Sequence, residues 1–156
     1  MPYDTEASMY PQVAAWLEQF LTERFRRHKV IVTDTSRQPL KRALQQHGLA
    51  PANKPDWPTY DILVDITGFV INSESVEFAF VECKKQPIKL RDISQLLGYC
   101  RVALPIYACI LSPTGVSSDV AALLKTYSRY DVLEYDWPKG QTARSIVVGT
   151  WSEQRH

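Results

Sequence analysis

Residues 61–84 read DILVDITGFVINSESVEFAFVECK, and this stretch decides the fold. Its two arms, 61–71 and 76–84, are rich in β-branched and aromatic residues, and the polar tetrapeptide NSES separates them. Polar turn residues between two such runs predict a pair of antiparallel strands joined by a turn. Both arms are largely apolar on both faces, which predicts central strands covered by helices on each side of a sheet.

Helical and strand-like patterns flank this hairpin on both sides. The apolar spacing predicts a first helix that begins near Ser8 and fades near Phe25. Three further helices are predicted over 40–46, 90–104 and 120–127. Four further strands are predicted over 29–33, 106–111, 131–135 and 145–148. This order of elements implies an α/β fold, with a central mixed β-sheet flanked by helices on both faces, in a single domain over 1–156.

The helix predicted over 90–104 carries two different stripes. Its buried face is expected to consist of Ile93, Leu96, Leu97, Cys100 and Leu104. Gln95 and Tyr99 are four residues apart, so they share a stripe that lies off this face. A tyrosine outside the core with an amide one turn away is suited to contact with a phosphate or a base. The alternative is a tyrosine that packs at the helix margin with its hydroxyl in water.

Composition excludes several classes of protein. Three cysteines, Cys83, Cys100 and Cys109, occur without C-x-x-C spacing, which argues against a disulfide framework, a structural zinc site and an iron–sulfur cluster. The longest uncharged apolar stretch, 102–111, is interrupted by Pro105 and is too short to cross a bilayer. The first residues lack the pattern of a signal peptide. We therefore expect a soluble, cytoplasmic protein without a membrane partner.

The charged residues of this largely apolar hairpin include Asp65, Glu82 and Lys84. If the turn is centred between Ser73 and Glu74, the numbers of facing residues sum to about 147, so Asp65 faces Glu82. Facing β-carbons lie roughly 5 Å apart, and Lys84 shares the same sheet face because it is two residues beyond Glu82.

Two neighbouring carboxylates repel each other unless a cation lies between them, and a hard divalent ion with oxygen ligands resolves the conflict. We predict a Mg²⁺ site, in which Mn²⁺ can substitute, formed by Asp65, Glu82 and the backbone carbonyl of Cys83. Such an ion polarises a phosphodiester oxygen and acidifies water, while Lys84 orients the attacking water, helps to deprotonate it or balances developing charge. The structural alternative is a salt bridge at the wet edge of the sheet. Asp61 is an alternative candidate for the role of Asp65, because both would lie on the same face of the strand. The register, however, would place Asp61 opposite Gln86.

The segments VDITG (64–68) and FVECK (80–84) resemble the PD-(D/E)XK nuclease superfamily, which has a restriction-endonuclease-like fold. QLLGY (95–99) resembles the Q-x-x-x-Y motif of RecB-type nucleases. Val64 stands where the family has proline, and the resemblance covers about residues 6–112, with a variable tail expected after it. The resemblance implies that Gln95 and Tyr99 contact the nucleic acid. It also implies that Glu6 adds to the metal site; the alternative is an acid that favours the helix N-terminus.

The first hypothesis is a magnesium-dependent deoxyribonuclease, and its basic patch of Lys84, Lys85, Lys89 and Arg91 would contact the DNA. The second is a non-catalytic nucleic-acid-binding or scaffold module that keeps the nuclease fold, for which the net charge of +1 is the main support. A third is an interaction domain in which the charged side chains form a surface ion pair. Small enzymes of this fold commonly act as homodimers or as subunits of larger DNA-processing complexes, and we expect one of these assemblies.

Overall fold

The computed structural model describes residues 3–153, which form two sheets. The strands are β1 (Lys29–Asp34), β2 (Ile66–Ile71), β3 (Val76–Cys83), β4 (Tyr107–Ser112), β5 (Glu134–Asp136), β6 (Arg144–Ser145) and β7 (Val147–Thr150). The main sheet has five strands in the order β1-β2-β3-β4-β7. Strand β2 is antiparallel to both of its neighbours, β1 and β3, whereas β4 and β7 run parallel to β3, so the sheet is mixed as predicted. The short strands β5 and β6 form a separate antiparallel pair.

Helices cover both faces of the main sheet. They are α1 (Tyr10–Arg24), α2 (Leu40–Gln46), α3 (Leu90–Ala103) and α4 (Ser118–Ala121), and α4 continues as a π-helical turn over Ala122–Thr126. Single 3₁₀ turns lie at Ala7–Met9, Trp57–Thr59 and Tyr130–Leu133. The predicted α/β architecture is therefore confirmed. Within the described residues, no helix is long and apolar enough to cross a membrane.

Each sheet face has its own buried cluster, as expected for strands that are apolar on both sides. On one face, α1 buries Leu17 and Leu21 against Ile66 of β2 and Val81 of β3. Gly68 allows this close packing, since a β-carbon there would lie 2.5 Å from the Leu21 Cδ1 atom. On the other face, α2, α3 and α4 cover the aromatic side chains of the hairpin. These are Phe69, Phe78 and Phe80.

The hairpin register is the predicted one, since Ile66 faces Val81 and Ile71 faces Val76. The prediction that the first arm is a strand from residue 61 is wrong, because β2 begins at Ile66. The preceding residues give their carbonyl groups to the start of α2 instead: Leu40 N–H donates to the Ile62 carbonyl (2.9 Å). Hydrogen bonds to the start of α2 thus replace strand pairing over this stretch.

Smaller differences concern the ends of elements. Leu104, expected in the core, is 38% exposed and adopts left-handed φ (50°) as the C-cap of α3, so Ala103 closes the buried face instead. The predicted strand over 131–135 is mostly a 3₁₀ turn followed by β5, and the one over 145–148 is divided into β6 and β7 at the buried residue Ile146. Strand β7 pairs with β4, so residues after 112 contribute an edge strand to the main sheet.

Candidate functional site

The charged residues of the hairpin lie at its open end, where β2 begins and β3 ends. Asp65 immediately precedes β2, Glu82 is the penultimate residue of β3, and Lys84 follows that strand. Thr35, a buried residue after β1, fixes the backbone here: its N–H donates to the Asp65 carbonyl (3.0 Å) and its hydroxyl donates to the Val64 carbonyl (2.6 Å). Asp65 is thereby held at the edge of the sheet by contacts on its β1 side.

The structure brings Asp65 and Glu82 together. The Asp65 backbone N–H donates to Glu82 Oε1 (3.1 Å), and the Cys83 N–H donates to Asp65 Oδ2 (2.8 Å). The second carboxylate oxygen of Asp65, Oδ1, accepts a hydrogen bond from the Tyr10 hydroxyl (2.7 Å). Each carboxylate therefore reaches across the hairpin to a backbone group of the opposite arm.

Burial and the charge of Asp65 raise the pKa of Glu82 to about 8, although Lys84 acts in the opposite direction. A carboxyl group with this pKa holds a proton in the folded protein at neutral pH unless a cation stabilises its charged form. This is the electrostatic conflict expected from two facing acids. It makes Glu82 the group at which a proton and a metal ion would compete.

Lys84 is the cation next to these acids. Burial lowers its pKa, but the carboxylates of Glu6 and Glu82, with those of Asp92 and Asp65, more than offset this and raise it overall. Its amino group forms an ion pair with Asp92 of α3 (3.7 Å). A lysine with a raised pKa is positively charged at neutral pH, so it suits charge stabilisation better than proton abstraction.

The donor set is compatible with Mg²⁺, which is commonly bound through one or two carboxylates and keeps several water ligands. Asp65 and Glu82 supply the carboxylates. A strand residue directs its N–H and carbonyl to the same side, so we expect the Cys83 carbonyl to face Asp65, as its N–H does. Among residues 3–153, no group of three or more His, Cys, Asp or Glu side chains forms a metal site by itself. A site here would thus depend on two side chains and a backbone oxygen. The Cys83 thiol is buried, and its pKa is raised by burial, as expected for an unreactive core cysteine.

Two residues of the site were not identified from the sequence. Tyr10 contacts Asp65 from α1, and burial together with this hydrogen bond raises the pKa of its hydroxyl, which stays a donor. Asp92 pairs with Lys84 and also accepts the Lys89 backbone N–H (2.9 Å) near the start of α3. The capping position of Asp92 is a recognisable sequence signal, whereas the contact of Tyr10 depends on how α1 packs.

Other predicted residues lie around the site or away from it. Asp61 is exposed, lies outside β2 and makes no hydrogen bond or ion pair with Glu82 or Lys84 in the described part of the chain. The assignment of Asp61 as an alternative acid is therefore not supported. Glu6 is half-buried just before α1, and its charge acts on Lys84 without a recorded hydrogen bond to it within residues 3–153.

The predicted nucleic-acid contacts differ in accessibility. Lys89 and Arg91 at the start of α3 are exposed, as is Gln95. Tyr99 is half-buried and packs against the core under α3, which matches the alternative of a tyrosine at the helix margin. The Lys85 amino group is committed to the Asp4 carbonyl (2.8 Å), so it contributes less to a free basic surface than predicted.

An apolar cavity of about 340 Å³ lies on the α1 side of the sheet. Trp16, Phe20 and Tyr107 are among its lining residues, and neither Asp65 nor Glu82 is. The candidate site is thus separate from this cavity.

The chain matches no protein-family model, no curated protein and no solved structure. The chemistry of the site is consequently inferred from its own residues.

Proposed function

We propose that the protein is a magnesium-dependent nuclease with a restriction-endonuclease-like fold that hydrolyses phosphodiester bonds in DNA. The observation that carries this proposal is the meeting of Asp65 and Glu82 at the open end of an apolar hairpin, next to Lys84. Buried acids are normally paired or bound to a cation, and Lys84 is itself paired with Asp92. The fold supports the proposal: an antiparallel hairpin is followed by helix α3 and by the parallel strand β4.

Each residue of the site has a distinct task in this proposal. Asp65, Glu82 and the Cys83 carbonyl hold Mg²⁺, which supplies Lewis-acid polarisation of the phosphate and a lowered pKa of water. Lys84 stays protonated, orients the attacking water and stabilises the negative charge that develops on the phosphate. Thr35 is a positioning residue, because it holds the backbone of Asp65 in place. On α3, the exposed Gln95 contacts the DNA strand, and the half-buried Tyr99 contributes its exposed margin.

A cleavage assay with matched variants tests the proposal. Single-stranded, duplex and branched DNA are incubated with Mg²⁺ or Mn²⁺ and with wild type, Glu82→Gln or Glu77→Gln. Glu77 is on the same strand near the turn, where its Oε1 accepts a hydrogen bond from Asn53 (3.2 Å) and its carboxylate pairs with Lys54. We expect Glu82→Gln to lose cleavage by at least about 10²-fold, the scale of losing one electrostatic contributor to catalysis. Glu77→Gln should keep it. Equal cleavage by all three proteins would refute the site assignment.

A second candidate is a non-catalytic nucleic-acid-binding module. It is favoured by one observation: the Tyr10 hydroxyl and the Cys83 N–H already donate to the two oxygens of Asp65. Both oxygens of this carboxylate thus already accept hydrogen bonds within the protein. DNA binding without cleavage of any of the three DNA forms, under either metal, would select this candidate.

A further inference from the structure

A polar groove of about 450 Å³ lies beside the candidate site on the α2 side. It is lined by Asp34, Arg37, Gln38, Arg42 and Gln46. The groove thus combines two guanidinium groups with two side-chain amides. Such donors characterise surfaces that contact phosphate oxygens.

The two arginines of the groove have no side-chain partner in the described part of the chain. Two other arginines of the chain do have such a partner. Arg129 pairs with Asp131 (2.8 Å), and Arg144 pairs with Asp136 (3.3 Å). Within residues 3–153, neither Arg37 nor Arg42 forms a side-chain hydrogen bond or an ion pair, and both are exposed. Their donors are therefore available to an external ligand.

The acid in the groove is turned towards its own loop. Asp34 Oδ1 accepts hydrogen bonds from the Ser36 N–H (2.9 Å) and from the Ser36 hydroxyl (2.6 Å). These two bonds stabilise the carboxylate locally. The two arginines and Asp34 together leave the groove with a positive balance.

The groove adjoins the candidate site through the sheet. Asp34 ends β1 and faces Ile66, the first residue of β2, while the next residue, Thr35, is bonded to Asp65. Neighbouring strands are about 4.8 Å apart, so Asp34 lies roughly 10 Å from the end of β3. One strand of B-DNA carries a phosphate for each 3.4 Å or so of helix axis, so a separation of roughly 10 Å along that axis spans about three phosphates.

We propose that Arg37 and Arg42 bind phosphates of the DNA strand a few nucleotides from the phosphate that is cleaved. This inference rests on the proposed function and adds the path of the substrate to it. The strand crosses the sheet edge from the α2 groove, past Asp65 and Glu82, to the exposed cations Lys89 and Arg91 at the start of α3. The DNA backbone, rather than its bases, is the ligand of the groove.

Salt-dependent binding tests the inference independently of cleavage. The anisotropy of a fluorescent DNA duplex is measured with EDTA present, at salt concentrations from about 50 to 200 mM, for wild type and for the double variant Arg37→Ala/Arg42→Ala. The slope of log K against log [salt] is negative, and each lost phosphate contact reduces its magnitude by about 0.9, so we expect a reduction of about 1.8 in magnitude. The matched control is Arg26→Ala/Arg27→Ala. These two exposed residues precede β1, whose first residue, Lys29, faces Ile71 at the turn end of the hairpin.

The outcomes separate the two proposals. A shallower salt dependence for the Arg37/Arg42 variant alone, with an unchanged melting temperature, supports the groove. An equal slope for both variants, or no binding of DNA by the wild type at any salt concentration, overturns it. Cleavage by the wild type in Mg²⁺ decides the proposed function separately. If cleavage occurs, the groove variant should raise KM and leave kcat within about twofold, since a contact made equally before and during the reaction changes binding alone.

Discussion

The charged groups at the two ends of the β2–β3 hairpin have different kinds of partner. At the turn end, the Lys54 amino group donates to the Ala103 carbonyl (2.9 Å) and pairs with Glu77 (3.8 Å). At the open end, Glu82 lies against Asp65, while Lys84 pairs with Asp92. At the turn end the acid Glu77 is paired with a lysine, whereas at the open end two acids lie next to each other. Charged residues at the turn end of the hairpin thus serve the fold, and we propose that those at the open end are placed for a ligand.

The largest expected effect comes from changing the lysine of the open end. Lys84→Met keeps most of the alkyl chain and removes the ammonium group, so cleavage of DNA in Mg²⁺ should fall by about 10²- to 10⁴-fold. Thermal unfolding, monitored by circular dichroism, should show that the variant is folded. Retention of more than a third of wild-type activity by the folded variant would remove Lys84 from the mechanism.

The same substitution at the turn end should give the opposite result. Lys54→Met leaves the Ala103 carbonyl and the Glu77 carboxylate without their cation, which costs about 1.5–3 kcal/mol of unfolding free energy for a bond to a charged group. Urea denaturation measures this loss. Activity per folded molecule should stay at the wild-type level. A Lys54 variant that is stable but inactive would break the contrast between the two ends.

The open end should also make stability depend on pH. The pKa of Glu82 is about 8 in the folded protein and 4.5 ordinarily, so between these values the folded state holds a proton that the unfolded chain releases. The free energy of unfolding therefore falls as pH rises through this window, with a contribution of up to about 1.4 kcal/mol per pH unit. Urea titrations from pH 4.5 to 8 measure the slope. Glu82→Gln, which does not titrate, should remove this contribution, and an identical slope in the variant would show that Glu82 is not its source.

A smaller effect is expected from the residue that positions Asp65. Thr35→Val has a similar volume but loses the hydroxyl that bonds to the Val64 carbonyl and to the Thr67 hydroxyl (2.8 Å). We expect a loss of about 1–3 kcal/mol of stability, because buried polar groups are left unpaired. In a Mn²⁺ titration, Thr35→Val should bind the metal more weakly than the wild type. Thr35→Ser, which keeps the hydroxyl, should bind it with the wild-type affinity. If serine and valine shift the affinity equally, Thr35 does not act through Asp65.

The hairpin could be predicted from sequence because its determinants are local. The polar turn at 72–75 fixes the register, and this register places Asp65, one residue before β2, next to Glu82. The start of β2 at Ile66 could not be predicted, because α2 competes for the backbone of the preceding residues. Tyr10 was missed for the same kind of reason: it lies 55 residues from Asp65, and its contact depends on how α1 packs on the sheet.

The most direct test of the central claim is calorimetric titration of the protein with Mg²⁺ and Mn²⁺ near pH 7, in two buffers of different ionisation enthalpy. The account predicts uptake of a divalent ion by the wild type with release of protons, since the ion displaces the proton held by Glu82. Glu82→Gln should show weaker uptake and no such proton release. Absence of uptake by the wild type, both alone and with DNA present, would contradict the account.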